Sequence, residues 1–157
     1  MLETTNTILT LIIGLLAILI AYQQYRANQN KLRLDLYEKR FLVYTAFRKA
    51  ILEVEKEGAI SSKGLSEFFA KMTESDFLFE KDIIEYKNIF RDKLVKLSVA
   101  QFELESLLHT YQTEENKHLW EKPAKEKGES FLWFSQQHEE IKNRFGKYLN
   151  FKKIISF

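Results

Sequence analysis

The run Ile8–Tyr22, ILTLIIGLLAILIAY, carries no charged side chain. A helix that is apolar on every side has no face to offer water, so it belongs in lipid or in a deep core. Fifteen residues rise only about 22 Å, short of a hydrocarbon layer of about 30 Å. The uncharged stretch is longer, from Thr4 to Tyr25. Thr, Asn and Gln at its ends suit the interface, and Tyr22 and Tyr25 suit the aromatic belt. The run therefore reads as one transmembrane helix, helped by its flanks or by mild bilayer thinning. A cleaved signal peptide needs a basic leader and a small-x-small cleavage site. Here Glu3 is the only charged side chain ahead of the run, and Leu19-Ile20-Ala21 is a poor site. A buried core helix fits shorter apolar runs better.

Flanking charge gives an orientation. The N-terminal flank has no Lys or Arg, whereas Arg26, Lys31, Arg33, Lys39 and Arg40 follow the run, against Asp35 and Glu38. Basic residues stay cytoplasmic, so the N-terminus is expected outside and everything after Gln23 inside. The absence of Cys is in keeping with a reducing compartment, and it also removes disulfides, Cys-based zinc sites and thiol nucleophiles.

One side of the span is made of small residues. Thr10, Gly14, Ala17 and Ala21 are spaced 4, 3 and 4, and Gln24 and Asn28 continue the row. At 100° per residue the first four fall within about 60° of one another. Small residues let helix backbones approach closely in lipid, and polar ones add interhelical hydrogen bonds. The row reads as a self-association face.

Beyond the span the chain reads as all-α. Its 157 residues suit one domain, and one Pro with five Gly leaves too little turn chemistry for a β-sandwich. No Pro or Gly interrupts Tyr22 to Glu57, so the helix is expected to continue, making residues 8–57 a rod of roughly 75 Å. Two apolar stripes follow: Leu34, Tyr37, Phe41, Tyr44, Ile51, and Leu36, Val43, Phe47, Ala50, Val54. Together they cover an arc wide enough to meet two neighbouring helices. Gly58 to Gly64 is a break. A short helix is expected around Ser66–Met72, then a turn at Thr73–Asp76. A long helix follows from about Asp76 or Lys81 to Tyr111, with Gln101 at the edge of its inner stripe. Thr113–Glu129 is polar, holds Pro123 and reads as a connector. A last helix is expected from about Ser130 to Phe145, with Gly146 as its C′ residue. The predicted architecture is a transmembrane helix continuing into an antiparallel bundle of three long helices and one short. Its parts are residues 1–25, tail and span; 26–150, bundle; and 151–157, a basic and aromatic tail.

Several phrases occur together: Ala21-Tyr22-Gln23-Gln24-Tyr25-Arg26, Lys31 to Phe41, Phe77-Leu78-Phe79, Leu132-Trp133-Phe134, and Phe145 to Leu149. With the span they resemble a widespread set of small bacterial membrane proteins that have one N-terminal span and a helical cytoplasmic part. The resemblance covers nearly the whole chain. It implies a bacterial inner-membrane protein and implies no activity or catalytic residue.

Motifs for chemistry are sparse. There is no phosphate-cradling Gly loop, nucleophile elbow or His-Glu-x-x-His helix. Glu105 and His109 are four apart, with Glu114, Glu115 and His118 beyond them, and His138-Glu139-Glu140 lies on the last helix. Ordinary helix pairing accounts for these better than a metal site, and no cofactor or metal is predicted. The basic segments say more. Arg26, Lys31 and Arg33 lie against the membrane, and Lys147, Lys152 and Lys153 sit among aromatic residues near the end of the chain. Both groups suit an anionic leaflet. Balanced charge, 24 Lys+Arg against 22 Asp+Glu, makes nucleic acid an unlikely partner.

The expected function is a non-catalytic, membrane-anchored helical module that self-associates and binds a cytoplasmic protein. A second reading is an oligomerising effector that perturbs the inner membrane, by analogy an antiphage device. A third is an enzyme or metal-binding protein with no recognisable motif.

Overall fold

The computed structural model describes residues 2–107 and 117–150, without the side chains of Leu2, Glu3 and Lys117. The described residues form helices and no strands: α1 Leu2–Glu57, α2 Ser62–Met72, α3 Ser75–Leu78, α4 Lys81–Leu107, α5 Lys117–Ser135 and α6 Gln137–Gly146. The chain divides into two compact units, residues 1–37 with 151–157, and residues 38–150.

In the first unit, the described residues are the N-terminal two-thirds of α1. With Pro absent and Gly14 the lone Gly, nothing in residues 2–57 breaks the helix. No residue from Thr4 to Asn28 is buried.

The second unit holds the core. Gly58 ends α1 at φ 66°, and its N–H donates to the Val54 carbonyl at 2.8 Å. Only Gly takes that conformation without a Cβ penalty. Ser61 then caps α2, its hydroxyl accepting from the Gly64 N–H at 2.9 Å. Phe47 of α1 sits at the centre of the core. Its ring lies 4.7 Å from Phe90 of α4, 5.2 Å from Phe68 of α2 and 5.4 Å from Phe145 of α6, centroid to centroid. Tyr44, one turn earlier, also meets Phe145, at 5.5 Å. The wide apolar arc is thus met by several helices from Val43 onward, while Leu34, Leu36 and Phe41 stay exposed. On α4, Ile83, Phe90, Leu94 and Leu97 are fully buried, as the 3–4 rhythm requires. Phe90 packs on Phe134, and the Tyr86 hydroxyl donates to Gln137 Oε1 at 2.9 Å.

Several elements differ from the sequence expectation. The supposed connector is helical from Lys117, and α5 runs straight through Pro123 and Gly128. Proline removes one backbone hydrogen bond and strains the preceding turn. Here Pro123, Ser130 and Phe134 are all buried along α5, and that packing outweighs the local penalty. The last expected helix is two: Ser130–Ser135 closes α5, and a turn at Gln136 precedes α6. The turn expected at Thr73–Asp76 starts where expected but is cut to Thr73 and Glu74, because a short helix, α3, begins at Ser75. Gly146 is the final residue of α6 rather than a left-handed C′ residue; among the described residues Gly58 alone has positive φ. Tyr111 lies outside the described residues.

Candidate functional site

The span row comes first. Thr10, Gly14, Ala17, Ala21 and Gln24 all lie on α1 and are exposed. Thr10 turns its hydroxyl inward along the helix, donating to the Asn6 carbonyl at 2.9 Å. A Cβ placed on Gly14 would meet nothing within 4 Å. Around this row Ile8, Leu11, Ile13, Leu15, Ile18 and Leu19 also project outward. The helix is long and apolar enough to cross a membrane, and none of its apolar window is buried.

The basic residues fall into three groups. Arg26 and Lys31 are exposed, and Arg33 is partly covered. Lys147 is engaged within the second unit: its ammonium lies 3.1 Å from Asp82 Oδ2 and 3.3 Å from Glu80 Oε2, and 4.7 Å above the Tyr148 ring centre. Asp82 also accepts a 2.7 Å hydrogen bond from the Tyr148 hydroxyl. Partial burial pushes the Asp82 carboxyl up, but the bonds from Tyr148 and Lys147 outweigh it and hold the carboxyl below its ordinary range. Burial, then the bond to Asp82, raises the Tyr148 phenol. The bonds to Tyr148 and Asp82 raise the Lys147 ammonium. Lys152 and Lys153 lie outside the described residues.

The carboxylate and histidine clusters take ordinary structural partners. His138 Nε2 lies 2.9 Å from both carboxylate oxygens of Glu55, tying α6 to the end of α1. Glu105 accepts from Gln101 Nε2 at 2.8 Å. His118 is exposed, and His109, Glu114 and Glu115 lie outside the described residues. Among the described residues no group of three His, Asp or Glu side chains is placed to hold a metal ion.

One surface feature was not anticipated by the apolar stripes. A groove of about 220 Å³ runs between α1 and α2, lined by Leu42, Ala46, Ala50, Gly64, Phe68 and Ala70 on its apolar side. Thr45, Lys49, Glu53, Glu67 and Lys71 form its polar edge. Glu53 lines the groove and bonds to the start of α2. Its Oε1 accepts from the Ser61 N–H at 2.8 Å and from the Ser61 hydroxyl at 2.6 Å. A Cβ on Gly64 would overlap that carboxylate, so Gly is what allows the approach. The Gly58–Gly64 break was legible, but nothing in it pointed to Glu53, eight residues before Ser61.

The chain matches no protein-family model, and no curated protein or solved structure matches it.

Proposed function

We propose that this chain is a non-catalytic helical module anchored in a bacterial inner membrane by α1, with the N-terminus outside and residues 38–150 in the cytoplasm. One observation carries the reading: Ile8–Ile20 presents apolar side chains in every direction and buries none of them. A continuous apolar surface of this kind is not sustained in water, and a bilayer is the solvent that suits it. Arg26, Lys31 and Arg33 on one flank, with no Lys or Arg on the other, support the orientation.

Within the membrane the module self-associates through Thr10, Gly14, Ala17, Ala21 and Gln24. Lipid supplies no hydrophobic drive between helices, so close backbone approach must provide the attraction. The helices of residues 38–150 form an antiparallel bundle that serves as the cytoplasmic binding module for a protein partner. The pairing of Phe90 with Phe134 and of Tyr86 with Gln137 supports that arrangement.

The test is a membrane reporter of self-association with the full chain. Gly14→Ile and Ala17→Leu are expected to weaken the signal strongly. Leu15→Ile and Leu19→Ile, off the row, are expected to leave it unchanged. Assembly of the row variants at the wild-type level overturns the span interface.

A further inference from the structure

We propose that α1 pairs with α1 of a second copy just outside lipid, as a short parallel coiled coil over Tyr22–Leu36. The proposal rests on the membrane reading above for one point, that copies stand side by side in one orientation. It names a face other than the span row.

Tyr22, Tyr25, Gln29, Leu32 and Leu36 are spaced 3, 4, 3 and 4 on one unbroken helix, all within the first unit. That alternation keeps them on one side of the helix. The row is centred about 70° round α1 from Thr10, Gly14, Ala17 and Ala21. Tyr25 is 63% exposed, Leu32 62% and Leu36 38%.

Lipid does not reach these leucines. With α1 upright across a bilayer, Leu32 and Leu36 stand about 10 and 16 Å beyond Tyr25, whereas a headgroup layer is only about 5–8 Å deep. Arg26, Lys31, Arg33 and Asp35 surround them, so the medium there is water. A row of large apolar side chains in water needs a protein surface to cover it.

The pattern selects a second copy, in parallel. With Tyr22, Gln29 and Leu36 at the a positions and Tyr25 and Leu32 at d, Arg26 and Arg33 fall at e, and Ala21, Asn28 and Asp35 at g. In a parallel pair each e residue faces the g residue five positions earlier on the other chain. Arg26 then meets Ala21 and Arg33 meets Asn28, with no like charges opposed. An antiparallel pair sets e against e, Arg26 against Arg33. Gln29 fixes the register. Its amide both donates and accepts, so it satisfies the same residue of an identical chain across a two-fold axis. In an antiparallel pair it would face a leucine and lose those bonds.

The chain has no Cys, so single cysteines report cleanly. Full-length chains with one cysteine at each position from Tyr25 to Leu36 are oxidised with copper phenanthroline in native membranes. Disulfide-linked dimer is expected to peak at Tyr25→Cys, Gln29→Cys, Leu32→Cys and Leu36→Cys. Those yields should be several-fold above Ala27→Cys and Leu34→Cys, which lie on the opposite side of the helix. Adding Gln29→Lys to Leu32→Cys should lower the yield several-fold, and co-expression with a Leu32→Cys chain carrying Gln29→Glu should restore it. Ala17→Cys reports the span row. If Ala17→Cys crosslinks while yields from Tyr25 to Leu36 show no such period, the coiled coil is overturned and the span interface stands. If the period appears while Ala17→Cys stays at the Ala27→Cys level, the coiled coil stands and the span interface fails. Peaks displaced to Ala27 and Leu34, or a disulfide to another protein with no dimer, overturn the proposal.

Discussion

Phe47 and Phe90 meet edge to face, 4.7 Å apart, and neither exposes any surface. The pair joins α1 to α4 at the point where α2 and α6 also converge. Truncation there leaves a cavity bounded by four helices that cannot all collapse inward. Phe47→Ala is therefore expected to destabilise by about 3–5 kcal/mol. Phe77→Ala, at a ring 91% exposed, is expected to stay within about 0.5 kcal/mol of wild type. Denaturant unfolding followed by circular dichroism compares them, and equal midpoints for the two variants contradict the core assignment.

Glu53 and Gly64 share one contact. Glu53→Ala removes the carboxylate that accepts from Ser61, and Gly64→Ala displaces it. Each is expected to cost about 1 kcal/mol, the scale of a lost helix cap. The double variant should cost little more than either single one, because the same hydrogen bonds are lost once. Additive losses in a double-mutant cycle would separate the two residues.

The group Asp82, Tyr148 and Lys147 sets a pH response. The Asp82 carboxyl sits below its ordinary value of 3.8 when folded, so its contribution is present above that value and is lost as pH falls through the lowered one. Tyr148 and Lys147 sit above their ordinary values of 10.0 and 10.5. Their contribution is full below those values and is lost as pH rises through the raised ones. Asp82→Asn should flatten the acid limb and weaken the alkaline one, read as unfolding midpoint against pH. An unchanged profile assigns the pH response to other groups.

Topology is tested in the same Cys-free background. Ser62→Cys, exposed at the start of α2, should react with a membrane-impermeant maleimide only after spheroplasts are lysed. Replacing Arg26, Lys31 and Arg33 by Glu should reduce this protection, since the proposed orientation rests on their charge. Labelling of the wild-type background in intact spheroplasts would invert the assignment.

How much of this was legible follows from the physics of each signal. The end of α1 was visible because Gly58 sits where no other break competes. The core stripe on α4 was visible because a period of 3–4 residues survives over many turns. The start of α5 was hidden because Pro123 and a polar run outvote helix propensity locally, while the burial that rescues the helix comes from α4. The break at Gln136 carries no Gly or Pro and had no signal at all. Gln101 was placed at a stripe edge; it is half-buried, and its Oε1 has no hydrogen-bond partner among the described residues. The sequence around Lys147 is basic, and its acidic partners Glu80 and Asp82 lie more than sixty residues earlier, out of reach of a local pattern. Periodicity reports that a face is buried; it does not report against what.

The hydrogen bond between Glu55 and His138 closes a separation of 83 residues. The ring contact of Phe47 with Phe145 closes a longer one. The apolar face of α1 meets Phe68 of α2 and Phe90 of α4 before the last of the described helices, α6, completes its cover. At a synthesis rate of about 5–20 residues per second, Phe47 waits roughly 5–20 s on the ribosome for Phe145. During that interval the nascent chain displays an uncovered apolar strip. Order of synthesis, rather than final stability, decides whether that strip first meets its own α6, a chaperone or the nascent chain on the next ribosome.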